Sequence, residues 1–222
     1  MNWPAHCAVI IPCLNESAAI GALVTAVRRQ LPHVLVIDDG STDGTGRLAT
    51  QAGAELLRHD KPLGKGAALH AGWKWAWESG FTWALTMDGD GQHSPADIPI
   101  FLKRAENTSA ELVVGNRMGN TRNMPRLRRF VNRWMSARIS RRAGCELPDS
   151  QCGFRLMNLS GLPSAPTSAA HFEIESEVLL SFARAGRKIE FVPIQVIYKN
   201  EQSKIHPFLD TLRWLHWWRN AK

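Results

Sequence analysis

The sequence lacks the features that mark a membrane-spanning or secreted chain. No stretch approaches ~18 consecutive apolar residues, the length that a helix needs to cross a bilayer. The N-terminus has no basic region that leads into an apolar signal core, and the four cysteines include no CxxC pair. We therefore expect a cytoplasmic protein in a reducing environment.

Internal repeats and low-complexity segments are also missing, which argues against a repeat protein or a disordered chain. Hydrophobic residues make up 44% of the 222 residues and charged residues 21%, a globular composition. Acidic residues are the minority among the charges, 20 against 27 Lys and Arg, which gives a net charge of +7. This balance favours a polyanionic partner: nucleic acid, an anionic membrane face or a phosphorylated ligand.

Much of the positive charge lies in residues 117–142. The arginines of this stretch include Arg117, Arg122, Arg126, Arg128, Arg129, Arg133, Arg138 and Arg141. Two interpretations remain open from the sequence, a solvated helix face and a surface that faces phosphate or lipid.

Hydrophobic patterning predicts strands that alternate with helices. Strands are predicted at residues 8–12, 34–37, 55–58, 82–87 and 111–115, and helices at 17–30, 42–52, 66–79 and from Pro95. The first two strands are apolar on successive residues, as expected when helices cover both faces of a parallel sheet. The fold class is therefore α/β, with an open, doubly wound, mostly parallel sheet.

The pattern loosens beyond Gly115 into a basic helix, a loop at 147–153, a helix at 172–185 and a strand at 189–198. We divide the chain into one domain, residues 1–205, and an amphipathic Trp-rich helix, residues 206–222. The apolar face of that helix contains Phe208, Leu209, Leu212, Leu215 and Trp218, with Trp214 beside it. Such a face suits either the headgroup region of an anionic membrane or packing on the sheet or on a second copy of the chain.

Polar clusters follow three of the predicted strands. Asn15 and Glu16 follow the first strand, residues 38–41 the second, and residues 88–90 the strand that ends at Met87. Ligands of open α/β sheets bind at the carboxyl ends of the strands. We therefore expect the three clusters to converge on one edge of the sheet.

The acidic clusters have two interpretations each. Asp88 and Asp90 suit a bound Mg²⁺ or Mn²⁺ that is also coordinated by diphosphate oxygens, with Gln92 as a neutral ligand and His93 as a hydrogen-bonding residue outside the ligands. The alternative is that these aspartates cap a helix. Residues 38–44 are typical of a turn into a helix, yet a carboxylate there can accept a nucleobase N–H. Gly64-Lys65-Gly66 begins a helix, but its spacing is not that of the Walker A phosphate-binding loop.

Together these segments resemble family 2 glycosyltransferases of the GT-A (Rossmann-like) fold, in particular polyprenyl-phosphate or dolichol-phosphate mannosyl and glucosyl synthases. The matching segments are residues 9–16 (VIIPCLNE), 38–45 (DDGSTDGT) and 88–93 (DGDGQH). The resemblance extends over residues 7–205. It implies an inverting transfer of a hexose from a nucleotide sugar, GDP- or UDP-linked, to an acceptor such as a polyprenyl phosphate.

The resemblance also implies roles for individual residues. The nucleotide sugar would be bound by Pro12, Leu14, Glu16, Ile37, Asp39, Asp88, Gly89, Asp90, Arg117, Lys199 and Lys204. The metal, Mg²⁺ or Mn²⁺, would be held by Asp88, Asp90 and Gln92. The catalytic residues would be Asp149, Asp90 and Arg117, with Arg117 on the phosphates.

Two of these assignments have particular features. Asp149 opens residues 149–155 (DSQCGFR) and is the acid expected near the acceptor. It would be a general base for a hydroxyl acceptor and would orient a lipid phosphate, which is already anionic. Ser203-Lys204 resembles a pair that closes over the donor phosphates, but the basic residue six positions earlier is replaced by Tyr198, with Lys199 beside it.

Two other functions compete with this one. A sugar-phosphate nucleotidyltransferase would have a Gly-rich basic loop after the first strand, where residues 12–16 (PCLNE) stand. A non-catalytic protein that binds anionic ligands or a membrane surface would use the arginines of 117–142. Carboxylates that converge at three strand ends would repel phosphate without a cation between them, so nucleic acid is not an expected partner. The sequence leaves the nucleotide, the sugar and the acceptor open.

Overall fold

Strands and helices alternate along most of the chain. The structure, a computed structural model, describes residues 1–119, 121, 124–162, 173–197 and 207–220, with side chains of the last range described at 213–219. The strands are β1 (Cys7–Cys13), β2 (Val34–Asp38), β3 (Glu55–Arg58), β4 (Trp83–Thr86), β5 (Leu112–Asn116), β6 (Arg155–Asn158) and β7 (Ile189–Pro193). The helices are α1 (Trp3–His6), α2 (Ile20–Arg28), α3 (Thr45–Gln51), α4 (Lys65–Glu78), α5 (Ile98–Thr108), α6 (Arg126–Ala143), α7 (Ile174–Arg184) and α8 (Pro207–Asn220).

The seven strands form one sheet in the order β3-β2-β1-β4-β6-β5-β7. All neighbouring pairs are parallel except those of β6, which runs antiparallel to both β4 and β5. Every residue of β2 and nearly every residue of β1 is buried, because other elements cover both faces of these strands. The open, mostly parallel α/β sheet predicted from the sequence is confirmed.

Strand β6 was not predicted, because its first residue breaks the apolar pattern. Arg155 is buried in the sheet, and its guanidinium donates to three backbone carbonyls, those of Ser150, Cys152 and Glu175, over 2.7–3.0 Å. The strand predicted at 189–198 is also shorter than expected. It ends at Pro193, which has no N–H to continue a ladder.

Helix α4 lies directly on strands β1 and β2. A Cβ atom at Gly72 would lie only 2.5 Å from Ile10 Cγ2 and 2.9 Å from Ile37 Cδ1, so the helix can approach this closely only with glycine there. The close packing fixes the N-terminus of α4, where Lys65 stands. Ile37, which the resemblance assigned to the nucleotide site, is fully buried under this helix near the end of β2.

The C-terminal helix α8 packs on α6 and α7. Trp214 and Trp217 are buried, and the Trp214 indole N–H donates to Ser176 Oγ over 3.0 Å. The Trp214 ring also lies 5.6 Å from that of Trp134 in α6, and the Arg142 guanidinium lies over Trp218 at 3.8 Å. Trp214 and Trp217 therefore pack on protein, which is the second of the two interpretations of this helix. The side chains of Phe208, Leu209 and Leu212 lie outside the described residues. Among the helices described, none is long and apolar enough to cross a membrane.

Candidate active site

The loops after β1 and β2 are locked together by side-chain hydrogen bonds. Ser41 Oγ accepts from the Asn15 backbone N–H over 2.8 Å, and Thr45 Oγ1 accepts from that of Glu16 over 2.8 Å. Asn15 Oδ1 in turn accepts from the Thr42 N–H over 2.9 Å. The first two polar clusters of the sequence therefore meet at one edge, as predicted.

The two acids that end β2 have different surroundings. Asp38 is fully buried and accepts from the Ser41 N–H over 2.8 Å, which is turn chemistry. Asp39 Oδ1 faces His59 Nδ1 at 2.7 Å and accepts from the Leu63 N–H, whereas Asp39 Oδ2 has one hydrogen bond to a described residue, from the Gly64 N–H over 2.8 Å. A carboxylate oxygen can accept two hydrogen bonds, so Asp39 is fixed in place with capacity left for one ligand N–H.

Lys65 joins the end of β4 to the start of α7. Its Nζ lies 2.5 Å from Asp88 Oδ1 and 2.6 Å from Glu175 Oε1. Burial by itself lowers the pKa of Lys65, but the two carboxylates outweigh burial and raise it above the usual range. The same contact holds the pKa of Asp88 well below its usual value, against the effect of burial. Lys65 is therefore a fixed positive charge between two carboxylates.

Gly153, in the loop before β6, packs against this pair. A Cβ atom there would lie 2.7 Å from Asp88 Oδ1 and 2.9 Å from Lys65 Nζ. The Gly153 carbonyl is held by the Thr86 hydroxyl, which donates to it over 2.8 Å. Gly89 is constrained from the other side, since a Cβ there would lie 2.4 Å from Cys13 Sγ. Both glycines thus make room for the Asp88 carboxylate and the loop that carries it.

Asp90 is the carboxylate best suited to a divalent cation. Burial, followed by the charges of Asp88 and Glu16, raises the pKa of Asp90 to about 6, although its Oδ1 accepts from the Gln92 N–H over 2.9 Å. Among the described residues no cationic side chain makes an ion pair with it. A divalent cation would relieve this accumulation of negative charge. The residues therefore fit the predicted metal.

The protein ligands alone do not complete such a site. Within the described ranges, no group of three or more His, Cys, Asp or Glu side chains is arranged to hold a metal. Mg²⁺ in nucleotide sites is typically bound by one or two carboxylates together with substrate phosphates. His93 lies close to this group, with its Nδ1 4.0 Å from Asp88 Oδ2, and burial lowers its pKa to about 4, so the imidazole adds no positive charge there.

Arg117 and Asp149 form a bidentate ion pair. Arg117 Nε donates to Asp149 Oδ2 and Arg117 Nη2 to Asp149 Oδ1, each over 2.8 Å, and the Arg117 backbone N–H also donates to Oδ2 over 3.0 Å. The exposed fraction is 6% for Arg117 and 0% for Asp149. Burial raises the pKa of Asp149, but Arg117 outweighs burial and lowers it. This geometry favours an orienting role over a general-base role for Asp149.

Some residues of the site were missed or cannot be located. Gly153 lies within residues 149–155 but had no role assigned from the sequence. Glu175 carries no motif of its own and is indistinguishable in sequence from the acids that commonly begin a helix. Pro12, Leu14 and Glu16 lie at or after the end of β1, next to these clusters. Lys199 and Lys204, with Tyr198 and Ser203, lie outside the described residues.

Comparison with known proteins identifies the family. A family model described as Glycosyl transferase family 2 matches residues 8–162. The chain belongs to glycosyl transferase family 2. The matched residues include Asp39, Asp88, Asp90, Arg117 and Asp149, so the family resemblance read from the sequence is confirmed. The nucleotidyltransferase and binding-only alternatives are not supported.

Family 2 relatives match most of the chain. It is 31% identical over 213 residues to the UDP-N-acetylglucosamine–dolichyl-phosphate N-acetylglucosaminyltransferase of Methanococcus voltae, covering 86% of this chain and 85% of that protein. It is 31% identical over 202 residues to the undecaprenyl-phosphate mannosyltransferase of Micrococcus luteus, covering 85% and 82%.

A solved glycosyl-transferring enzyme has the same fold. The crystal structure of glucosyl-3-phosphoglycerate synthase from Mycobacterium tuberculosis in complex with Mn²⁺, UDP-glucose and phosphoglyceric acid superposes with a TM-score of 0.70 at 24% identity, covering 94% of this chain and 74% of that one. The complex of that enzyme with phosphoglyceric acid alone gives a TM-score of 0.71 over 93% and 74%. The GT-A fold is thereby confirmed.

Proposed function

We propose that this family 2 enzyme transfers a hexose, with inversion, from a nucleoside diphosphate sugar to a polyprenyl phosphate, and that it needs a divalent cation. The observation that carries the proposal is the grouping of Asp88 and Asp90 with Arg117 in one electrostatically coupled cluster at the strand ends. Carboxylates for a cation and a guanidinium for phosphate are what a diphosphate leaving group requires.

On the donor side, Asp88, Asp90 and Gln92 would hold Mg²⁺ or Mn²⁺ against the diphosphate. A bound cation neutralises the charge that grows on the leaving diphosphate. Asp39 would accept from the nucleobase through the remaining lone pair of its Oδ2, next to Pro12, Leu14 and Glu16. The presence of Mn²⁺ and UDP-glucose in the structurally similar synthase supports this arrangement.

Arg117 would bind the donor phosphates, and Asp149 would position it. A free arginine side chain samples many rotamers, whereas the bidentate contact with Asp149 at 2.8 Å fixes the guanidinium plane before substrate arrives. The Arg117 Nη1 group makes no hydrogen bond to Asp149, so it is the nitrogen left to reach a phosphate oxygen. Arg117 would then stabilise the departing diphosphate.

A phosphate acceptor agrees with this use of Asp149. An oxygen of the lipid phosphate would attack the anomeric carbon while the bond from that carbon to the diphosphate breaks, in one displacement that inverts the centre. The nucleophile is already an anion, so no protein base has to remove a proton. Two relatives whose names state a dolichyl-phosphate and an undecaprenyl-phosphate acceptor support this choice.

Ligand-dependent stabilisation tests the donor and the metal together. Thermal unfolding would be followed with GDP, UDP and their sugars, each with and without Mn²⁺, because a ligand that binds only the native state raises apparent stability. We expect one nucleotide series to stabilise the protein only with Mn²⁺, and Asp90→Asn to abolish that gain. Glu78→Gln, an exposed acid on α4, is the control that should retain it. Equal stabilisation in excess EDTA would contradict metal dependence.

A further inference from the structure

The outward face of α6 combines exposed apolar side chains with arginines. Leu127 and Phe130 are 66% and 67% exposed, the highest values for large apolar residues within the described part of the chain. Arg126 and Arg133 are exposed on the same face, one turn to either side of Phe130. Every charged residue in α6 is an arginine, so no acid offsets these charges.

The opposite face of α6 is part of the protein interior. Met135 and Ile139 are buried in the core, and Asn132 and Ser136 are buried beside them. Farther along the helix, Trp134 and Arg142 contact α8. The outward surface at the N-terminal half, which we call the α6 patch and define as Arg126, Leu127, Phe130 and Arg133, has no such partner among the described residues. Neither Arg126 nor Arg133 makes an ion pair there.

Helix α6 is also tied to the site. Ser136 Oγ accepts from the Ser150 N–H over 2.9 Å and bonds to Ser150 Oγ at 3.2 Å, and Ser150 directly follows Asp149. The helix begins only nine residues after Arg117 in the chain. The helix that carries the α6 patch is therefore connected directly to the loop that carries Asp149.

We propose that the α6 patch docks the protein on an anionic lipid bilayer, with Leu127 and Phe130 inserted below the headgroups and Arg126 and Arg133 among them. The inference rests on the proposed lipid-phosphate acceptor and assigns the membrane contact to α6 instead of α8. On an anionic bilayer the apolar side chains of the patch would be buried among acyl chains and the arginines would contact charged headgroups, so both kinds of residue contribute to binding. Nucleic acid would interact favourably with the arginines only. A second copy of the chain would bring arginines against arginines.

Vesicle co-sedimentation tests the patch. The full chain would be mixed with neutral vesicles of phosphatidylcholine alone, or with anionic vesicles that contain phosphatidylcholine and phosphatidylglycerol. We expect binding to the anionic vesicles, weakened about tenfold or more by Leu127→Ser/Phe130→Ser and by Arg126→Gln/Arg133→Gln. Trp77→Ser removes an apolar side chain that is 59% exposed on α4, and Arg47→Gln/Lys103→Gln removes two exposed charges elsewhere; both controls should bind as the parent does.

Two further measurements separate this proposal from the function. Activity toward a short-chain, water-soluble polyprenyl phosphate without vesicles should be equal in the parent and in Leu127→Ser/Phe130→Ser; no activity in either would contradict the proposed function alone. Unchanged vesicle binding by the patch variants, or recovery of the parent in the supernatant with every vesicle, would overturn the proposal. A change from dimer to monomer in the patch variants, with vesicle binding retained, would also overturn the proposal, because the patch would then join two copies of the chain. Binding of the parent to duplex RNA that only Arg126→Gln/Arg133→Gln loses would overturn it in favour of a nucleic-acid surface.

Discussion

Lys65 at the start of α4 contacts Asp88 at the end of β4 over 2.5 Å and Glu175 in α7 over 2.6 Å. Three elements that are distant in sequence are thus joined by one ammonium group. Glu175 is buried, and Lys65 is its ion-pair partner, while the buried Arg155 guanidinium adds a second favourable electrostatic interaction.

Lys65→Met should therefore destabilise the fold. Removing the lysine leaves the buried Glu175 carboxylate without its ion-pair partner, and breaking a buried pair typically costs about 3 kcal/mol or more. Urea unfolding of Lys65→Met, Glu175→Gln and the double variant forms a double-mutant cycle. We expect the double variant to be more stable than Lys65→Met alone. A loss below about 0.5 kcal/mol, the range of ordinary surface substitutions, would show that the pair is not structural.

Asp149→Asn should lower turnover far more than donor affinity. The substitution removes the charge that holds Arg117 while leaving a similar shape, so phosphate contacts in the transition state suffer most. Loss of a single transition-state donor costs about 10²–10³ in turnover, and we expect a fall of that order. Donor affinity by titration and turnover by a rate assay must be measured separately.

Asp149→Glu is the matched variant for this test, because it keeps the charge but displaces it by one methylene. It should retain more activity than Asp149→Asn if the carboxylate orients Arg117 electrostatically. A loss confined to donor affinity would instead move Asp149 into the nucleotide site. A fall in parent turnover at acidic pH that Asp149→Asn no longer shows, with partial activity kept by Asp149→Glu, would favour the general-base role.

The thiols should react at very different rates. Burial raises the pKa of Cys7 beyond its usual range and that of Cys152 to about 12, and Cys13 is also buried, whereas Cys145 is exposed. The thiolate is the reactive form, so at pH 8 only Cys145 should be labelled quickly by a thiol reagent. Cys145→Ser should remove the fast phase, and unfolding should expose the other three. Two fast thiols in the native parent would contradict the described packing.

The elements of the donor site were predictable from sequence because each is local. Buried strands followed directly by Asp39 or by Asp88 and Asp90 place those acids at the carboxyl edge by topology alone. The fold class follows from the same alternation. Strand β6 was missed because Arg155 satisfies its donors on backbone carbonyls inside the sheet, which no hydropathy pattern reveals.

Long-range partnerships were not predictable. The contact of Lys65 with Glu175 joins residues 110 positions apart, and neither belongs to a pattern that would pair them. The tryptophans of α8 gave a periodic apolar face, but periodicity cannot say whether lipid or protein covers it. Only the packing of Trp214 on Ser176 and Trp134 decides that question. The roles of Asp149 and Arg117 were likewise assigned separately, although the two side chains form one unit.

The most direct test of the central claim is the formation of a lipid-linked sugar. Purified protein would be incubated with radiolabelled GDP-mannose, UDP-glucose or UDP-N-acetylglucosamine, a polyprenyl phosphate and Mn²⁺, and the organic phase would be counted. We expect label in the lipid phase from one donor, released by mild acid, absent in EDTA and absent with Asp90→Asn. Glu78→Gln should match the parent. Transfer of label in excess EDTA, or from every donor only to water, would contradict a metal-dependent polyprenyl-phosphate glycosyltransferase.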